Sequence, residues 1–240
     1  TKYQPLIKKN CNMTYSCHIR CVKLCSYWRC HIMKHEWRKS EKEIYIPKTK
    51  PEHILIPAFN YFTIKGKGNP NNEFFGEYIG ALYAVSYGVR MAYKGDNPPK
   101  GYFDYTVYPL EGVWDVGDKE KHIKEGFSKD NLIFELMIRQ PSFVDVKFAK
   151  ETIERAKAKK PHELLEKVEF KSIDEGNCVQ MMHIGSYDDE PQSFRKMEEF
   201  CEENGLMRKS MLHKEIYISD PRKSQPEKMR TVLRFKVEDK

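Results

Sequence analysis

Residues 213–219 carry the chemistry this sequence offers most clearly. Ile216 and Ile218 fall on one side of a β-forming segment, and His213, Glu215, Tyr217 and Ser219 fall on the other. Side chains of a strand point to opposite faces in turn, so the isoleucines belong under packed helices and the polar set faces a groove. A carboxylate among aromatic rings and shielded from water attracts cations and accepts protons. Burial alone raises its pKa, which suits a general base. A solvated charge on an edge strand is the plainer account of the same residues. Asp104 beside Tyr105, at what reads as the matching position of an internal repeat, favours the groove.

Glu111 and Trp114 form a second constellation, expected in an irregular connection over residues 109–131, where functional residues concentrate. Trp114 could stack on a planar ligand and Glu111 could pair with it; a tryptophan plugging the loop onto the core explains the spacing equally well. The hydroxyls of Tyr105, Tyr108 and Tyr217 are candidate proton donors. His183 shares a strand face with Met181 and Val179, as a groove residue or as a structural histidine. Arg139, on a face with Glu135 and Met137, reads as a ligand contact or an ordinary ion pair.

The elements that position these residues follow from periodicity. Residues 53–65 read as a strand interrupted at Pro57. The turn 66–72 leads into a helix whose Phe74, Tyr78, Leu82, Val85 and Val89 recur at three- and four-residue spacing. Residues 103–108 are aromatic and β-branched, hence a strand, and 132–139 form another, ended by Pro141. A lysine-rich helix over 145–160 connects to a second pass: strands at 168–170 and 178–184, a helix carrying Phe194, Met197, Phe200 and Cys201, and strands at 213–219 and 229–237. Residues 36–52 read as an extended arm.

Strand, helix, strand, strand thus occurs twice, about 120 residues apart. The expected fold is α+β: tandem repeats over about 53–140 and about 165–238, related by a pseudo-twofold axis. Each helix would cover one sheet face, and the opposite faces would meet around a ligand groove between antiparallel sheets.

Composition narrows the classes. The 240 residues suit one large domain or two small ones. No apolar run approaches the roughly 18 residues of a membrane span, and no basic leader with a cleavage site is evident. A soluble, cytoplasmic protein without a membrane partner is expected. Residues 1–32 carry six of the formal +7 charges, leaving +1 on the rest. A near-neutral body argues against a nucleic-acid partner. Five of seven cysteines lie in the same segment. Cys17, Cys21 and Cys25 recur every four residues, a spacing unlike paired zinc ligands. The sequence therefore assigns no metal site and no cofactor. The abrupt change at Met33 marks residues 1–32 as a disordered or non-native extension and 33–240 as the functional domain. Phosphate loops, dinucleotide fingerprints, nucleophile elbows and paired zinc histidines on a helix are not found.

Four motifs together resemble the stand-alone GyrI-like small-molecule-binding proteins. They are Pro109-Leu110-Glu111-Gly112-Val113-Trp114, Met137-Ile138-Arg139-Gln140-Pro141, the run from His183 through Tyr187 to Pro191, and Glu215-Ile216-Tyr217-Ile218-Ser219-Asp220-Pro221. The resemblance runs from about Met33 to the C-terminus. It implies two strand–helix–strand–strand repeats around a groove that takes small aromatic or cationic molecules. In drug-sensing relatives a groove glutamate meets cationic aromatic drugs, and Glu215 matches it. Glu215 and Glu111 are the candidate catalytic carboxylates, with Trp114, Tyr105, Tyr108, His183, Tyr187 and Tyr217 as candidate ligand contacts. Some stand-alone members detoxify DNA-alkylating cyclopropanoid cyclopentapyrroloindoles by hydrolysing the cyclopropane. A non-catalytic drug-sequestering or drug-sensing protein and a gyrase-interacting inhibitor are the competing functions. No protein partner is identifiable.

Overall fold

Alternating apolar residues build nine strands in the computed structural model, which describes residues 34–95, 98–116 and 128–240. They are β1 (Glu52–Ile56), β2 (Phe59–Lys67), β3 (Leu110–Val116), β4 (Leu132–Arg139), β5 (Glu169–Ile173), β6 (Gly176–Ile184), β7 (Leu206–Arg208), β8 (His213–Tyr217) and β9 (Arg230–Asp239). Eight form one antiparallel sheet in the order β1-β6-β9-β8-β3-β4-β2-β5, and β7 pairs with the end of β9. The protein is therefore a mixed α+β fold with a large open antiparallel sheet. Residues 1–32, expected as an extension, lie outside the described residues.

Among the described residues five α-helices accompany the sheet: α1 (Trp37–Ser40), α2 (Lys42–Tyr45), α3 (Phe74–Arg90), α4 (Val146–Lys159) and α5 (Glu190–Glu203). α3 forms where the apolar spacing puts it and buries Ala81, Leu82, Val85 and Val89. The Asp145 side chain caps α4 by accepting from the Phe148 amide at 2.7 Å, satisfying a donor the helix start would otherwise leave free. α5 starts at the Glu190-Pro191 pair and ends at Asn204, followed by Gly205 with φ +67°, the left-handed conformation that suits a helix end. No helix among the described residues is long and apolar enough to cross a membrane.

Three expectations are corrected. Residues 36–52 are not an extended arm throughout, because α1 and α2 form in it. Residues 103–108 lie outside the sheet and pair only through an isolated bridge between His35 and Tyr105. The strand of that region is β3, so Glu111 and Trp114 sit in the sheet rather than in an irregular connection, and Asp104 does not match Glu215. Instead Gly112 stands opposite Glu215 in the β3–β8 register. Finally, the described strands form one sheet, not two. Phe134 of β4 meets Tyr78 of α3 at 5.3 Å, and His183 of β6 meets Ser193 of α5, so both helices lie on the same face. The groove opens between them on that face, while residues 34–50 cover part of the other. His213, Glu215 and Tyr217 share one face, as alternation predicts, and line the groove, but the helices flank that groove instead of sealing the opposite side.

Candidate functional site

β3 and β8 cross the middle of the sheet side by side, and their helix-facing residues floor the groove. Glu111 pairs with Ile216, Gly112 with Glu215 and Trp114 with His213. Leu110, Trp114, His213, Glu215 and Tyr217 therefore share the groove face, whereas Glu111, Lys214 and Ile216 share the other. The groove encloses about 1730 Å³ and is walled by Phe75, Ile79, Tyr83 and Tyr87 of α3 and by Pro191 and Phe194 of α5, with Tyr187 just before α5. The loop 218–222 closes one margin.

A hydrogen-bond chain organises the floor. The Trp114 indole donates to the Tyr217 hydroxyl at 3.0 Å, and that hydroxyl donates to Glu215 Oε2 at 2.8 Å. His213 Nε2 lies 3.2 Å from Glu215 Oε1. Successive donors polarise one another and fix the carboxylate in place. Gly112 makes room for this arrangement: a Cβ there would stand 3.0 Å from the Trp114 ring nitrogen and 3.3 Å from the Tyr217 hydroxyl oxygen. The Tyr187 ring meets Tyr217 edge-on at 6.1 Å, and Phe194 meets His213 at 4.8 Å, so aromatic edges surround the carboxylate. Burial, then the charge of Glu215, raises the Tyr217 hydroxyl well above its ordinary pKa, keeping it a proton donor.

Glu190, which the sequence offers only as part of a helix start, also stands in the groove. It is 7 % exposed and lines the groove beside Glu215, and its Oε1 is buried without a hydrogen-bond partner. Burial first, then the charges of Glu215 and Asp188, push its pKa far above the carboxylate range, so it stands as a neutral acid at neutral pH. Its ligand atom, one from His213 and one from Glu215 lie within 4.8 Å of one another. Only the proximity of Glu190 to Pro191 in a turn hints at this in the sequence, and that signal ordinarily marks an exposed helix start.

This pKa has a measurable consequence. The folded state keeps the Glu190 proton while the unfolded chain releases it above the ordinary value of 4.5. Stability therefore falls as pH rises through this window, by up to about 1.4 kcal/mol per pH unit from one group. Glu190→Gln mimics the neutral acid and removes the loss. We expect its thermal midpoint to equal the wild type near pH 4.5 and to exceed it increasingly toward pH 8; equal midpoints across the range would contradict a neutral buried Glu190.

The other predicted residues divide. Glu215, Trp114, Tyr187 and Tyr217 come together at the floor. Tyr105 and Tyr108 line the same groove, near Trp37 and Arg90. The Tyr108 hydroxyl donates to Glu41 at 2.8 Å, and burial raises the pKa of both phenols. Two placements are corrected. Glu111 is fully buried on the opposite face, where its Oε2 accepts from Lys214 at 2.9 Å. His183 does not line the groove. Its Nε2 donates to the Ser186 carbonyl and its Nδ1 faces the Ser193 hydroxyl, both at 2.9 Å, which makes it a structural histidine pinning the turn into α5. Arg139 pairs with Glu41 and lies over the Phe59 ring. Asp104 pairs with Arg90.

The sequence profile of the GyrI-like small molecule binding domain matches residues 49–237. Three solved structures from Listeria innocua are similar over 85 % of this chain and 100 % of their own. One is an uncharacterized conserved protein (37 % identity, TM-score 0.78). Another is a hydrolase (36 %, 0.77), and a third is a hydrolase encoded by lin2189 (37 %, 0.77). No curated protein matches the chain at a significant level.

Proposed function

The chain belongs to the GyrI-like small-molecule-binding family, and we propose that its groove binds planar aromatic compounds and hydrolyses the cyclopropane of cyclopropanoid cyclopentapyrroloindoles. The observation that carries this reading is the unlike pair of carboxyl groups on the groove floor. Glu215 is oriented by Tyr217 and His213, and Glu190 beside it retains its proton. A carboxyl group that keeps its proton, beside one held to accept hydrogen bonds, divides the roles of acid and base. The Listeria relatives described as hydrolases add support.

The reaction needs no covalent enzyme intermediate. The flat ligand lies between the aromatic walls, and bulk water is excluded. A water oxygen bonds to the strained methylene carbon while Glu215 takes a proton from that water. The cyclopropane C–C bond breaks, and its electron pair passes through the conjugated dienone to the carbonyl oxygen. Glu190 gives its proton to the phenolate so formed. The net change is addition of one water, and a proton passing from Glu215 to Glu190 resets the pair. Trp114 and Tyr187 are the proposed walls, and Tyr217 holds Glu215 in line. Tyr105 and Tyr108 would contact the far part of the ligand. Glu111 has no part in this scheme, because it lies beneath the sheet.

The same reading takes residues 33–240 as the functional unit and treats it as two strand–helix–strand–strand repeats. The strand order supports a pseudo-twofold relation: β6, β9 and β8 on one side mirror β2, β4 and β3 on the other, with β1 and β5 at the two edges. A cytoplasmic setting fits Cys178 and Cys201, which are buried free thiols.

The test is incubation of purified protein with an excess of a cyclopropanoid compound and mass spectrometry of the products. Many equivalents of ring-opened water adduct per protein are expected. Protection of DNA up to one equivalent, with no adduct formed, would leave a sequestering protein and end the hydrolase reading for that substrate.

A further inference from the structure

The groove floor offers a donor set that neither its sequence motifs nor the family's ligand chemistry signals: one imidazole and two carboxyl groups, from Glu190, His213 and Glu215. His213 Nε2 and Glu215 Oε1 are 3.2 Å apart. Donors placed about 2.0–2.2 Å from a tetrahedral zinc ion stand about 3.3–3.6 Å from one another, so these two already have the spacing of adjacent ligands. The third donor lies within 4.8 Å of both. Glu190 is over nine-tenths buried, and its Oε1 is buried with no partner.

The surroundings fit an ion as well. Metal-binding carboxylates are typically held by outer hydrogen bonds, and here Tyr217 holds Glu215 Oε2 while Oε1 faces His213. Trp114 in turn holds Tyr217. Among the described residues, no lysine or arginine forms an ion pair with Glu190 or Glu215; Lys129 acts on Glu190 only at longer range. No local lysine or arginine thus competes with an ion for these oxygens, the ion would displace the proton that Glu190 otherwise keeps, and one face opens to the groove, where water can complete the coordination.

We propose that Glu190, His213 and Glu215 bind one divalent cation of the zinc class. One nitrogen and two oxygens suit a borderline first-row ion better than calcium or magnesium, which favour all-oxygen cages. This inference goes beyond the hydrolase reading and does not depend on it. The ion would occupy the carboxylates that water activation needs, so a bound cation would inhibit that reaction.

The test requires no organic ligand. The full chain is treated with iodoacetamide under native conditions, so that the cysteines of residues 1–32 cannot mimic the site, then stripped with chelator. Calorimetry with Zn²⁺ should give one ion per chain. His213→Gln and Glu190→Gln should each weaken binding by about 100-fold or more, and Tyr217→Phe by about 10-fold through the carboxylate it holds. Co²⁺ should give visible bands of nitrogen and oxygen ligation in the wild type, and these should disappear in Glu190→Gln, a variant expected to fold at least as stably. Absence of stoichiometric Zn²⁺ binding to the wild type would overturn the proposal. So would binding that His213→Gln and Glu190→Gln both retain, since the ion would then sit elsewhere.

Discussion

Glu215→Gln is expected to lower the rate of cyclopropanoid hydrolysis by about 10²–10⁴-fold, the usual contribution of a positioned general base. The substitution keeps the size of the side chain and an oxygen for the Tyr217 hydroxyl, which donates at 2.8 Å. It removes the proton acceptor and nothing else of comparable importance. The neutral substrate is held by aromatic contact, so its affinity should change little and the loss should appear in kcat and kcat/KM alike. Such a pattern marks an interaction made mainly in the transition state. A cationic aromatic dye should respond differently, losing about tenfold in affinity, or about 1.4 kcal/mol, because it loses its counter-charge. The thermal midpoint should not fall, since removing the Glu215 charge relieves the buried Glu190 beside it. Rate measurement, dye titration and thermal denaturation of one variant therefore separate base, counter-ion and structural roles. Hydrolysis at the wild-type rate would remove Glu215 from the mechanism.

How much of this site the sequence disclosed depends on what periodicity can report. Alternation in 213–217 put His213, Glu215 and Tyr217 on one face, and the β8 register bears that out. The strand at 132–139 and the helix from Phe74 were legible because their apolar spacing is regular over a full element. Alternation says which residues share a face but not which face a helix will cover, and both helices pack on the groove face, opposite to Ile216. Residues 103–108 read as a strand because aromatic and β-branched residues fit a half-buried extended chain. They are extended and partly buried, yet their only β-partner is a single bridge to His35. The true strand was hidden by Pro109 and Gly112, two residues that ordinarily argue against a central strand. Gly112 is there because the Trp114–Tyr217 hydrogen bond fills the space a side chain would need, a tertiary reason with no local signature. Glu190 was invisible for the same reason: its proton is fixed by burial and by Glu215, 25 positions away in the chain.

Lys214→Met should be the most destabilising single change on the far side of the sheet. Lys214 sits in strand β8 on the face opposite the groove and is almost wholly buried. Its ammonium donates to Glu111 at 2.9 Å and to Glu175 at 2.7 Å, and it lies 4.8 Å from the centre of the Tyr61 ring. Burial opposes its charge, but Glu111 and Glu175 outweigh this and raise its pKa. Arg234 completes the network, pairing with Glu175 at 3.4 Å and donating to Gln180 at 2.8 Å. Methionine fills the volume of the lysine stem but leaves two buried carboxylates with one cation. Glu175 keeps Arg234, whereas Glu111, whose Oε1 is already unpartnered, loses the ammonium it pairs with. Stranding a buried charge in this way costs about 3–5 kcal/mol. At about 2–4 °C per kcal/mol for a unit of this size, the thermal midpoint should drop by roughly 6–20 °C. Adding Glu111→Gln should recover most of the loss, because the neutral pair no longer buries an unmatched charge. Acid should act on the same network in the wild type. Burial opposes the charge of Glu175, but Lys214 and Arg234 hold its pKa below the usual 4.5. Its stabilising contribution is thus present above pH 4.5 and disappears as pH falls through the lowered folded value. Lys214→Met should flatten that acid limb while leaving the opposite, Glu190-linked loss at rising pH in place. Urea denaturation across pH for wild type, both single variants and the double variant would read all of these terms. If Lys214→Met matched the wild type in stability, the network would be an incidental pairing and not the support on which β3 and β8 hold the groove floor.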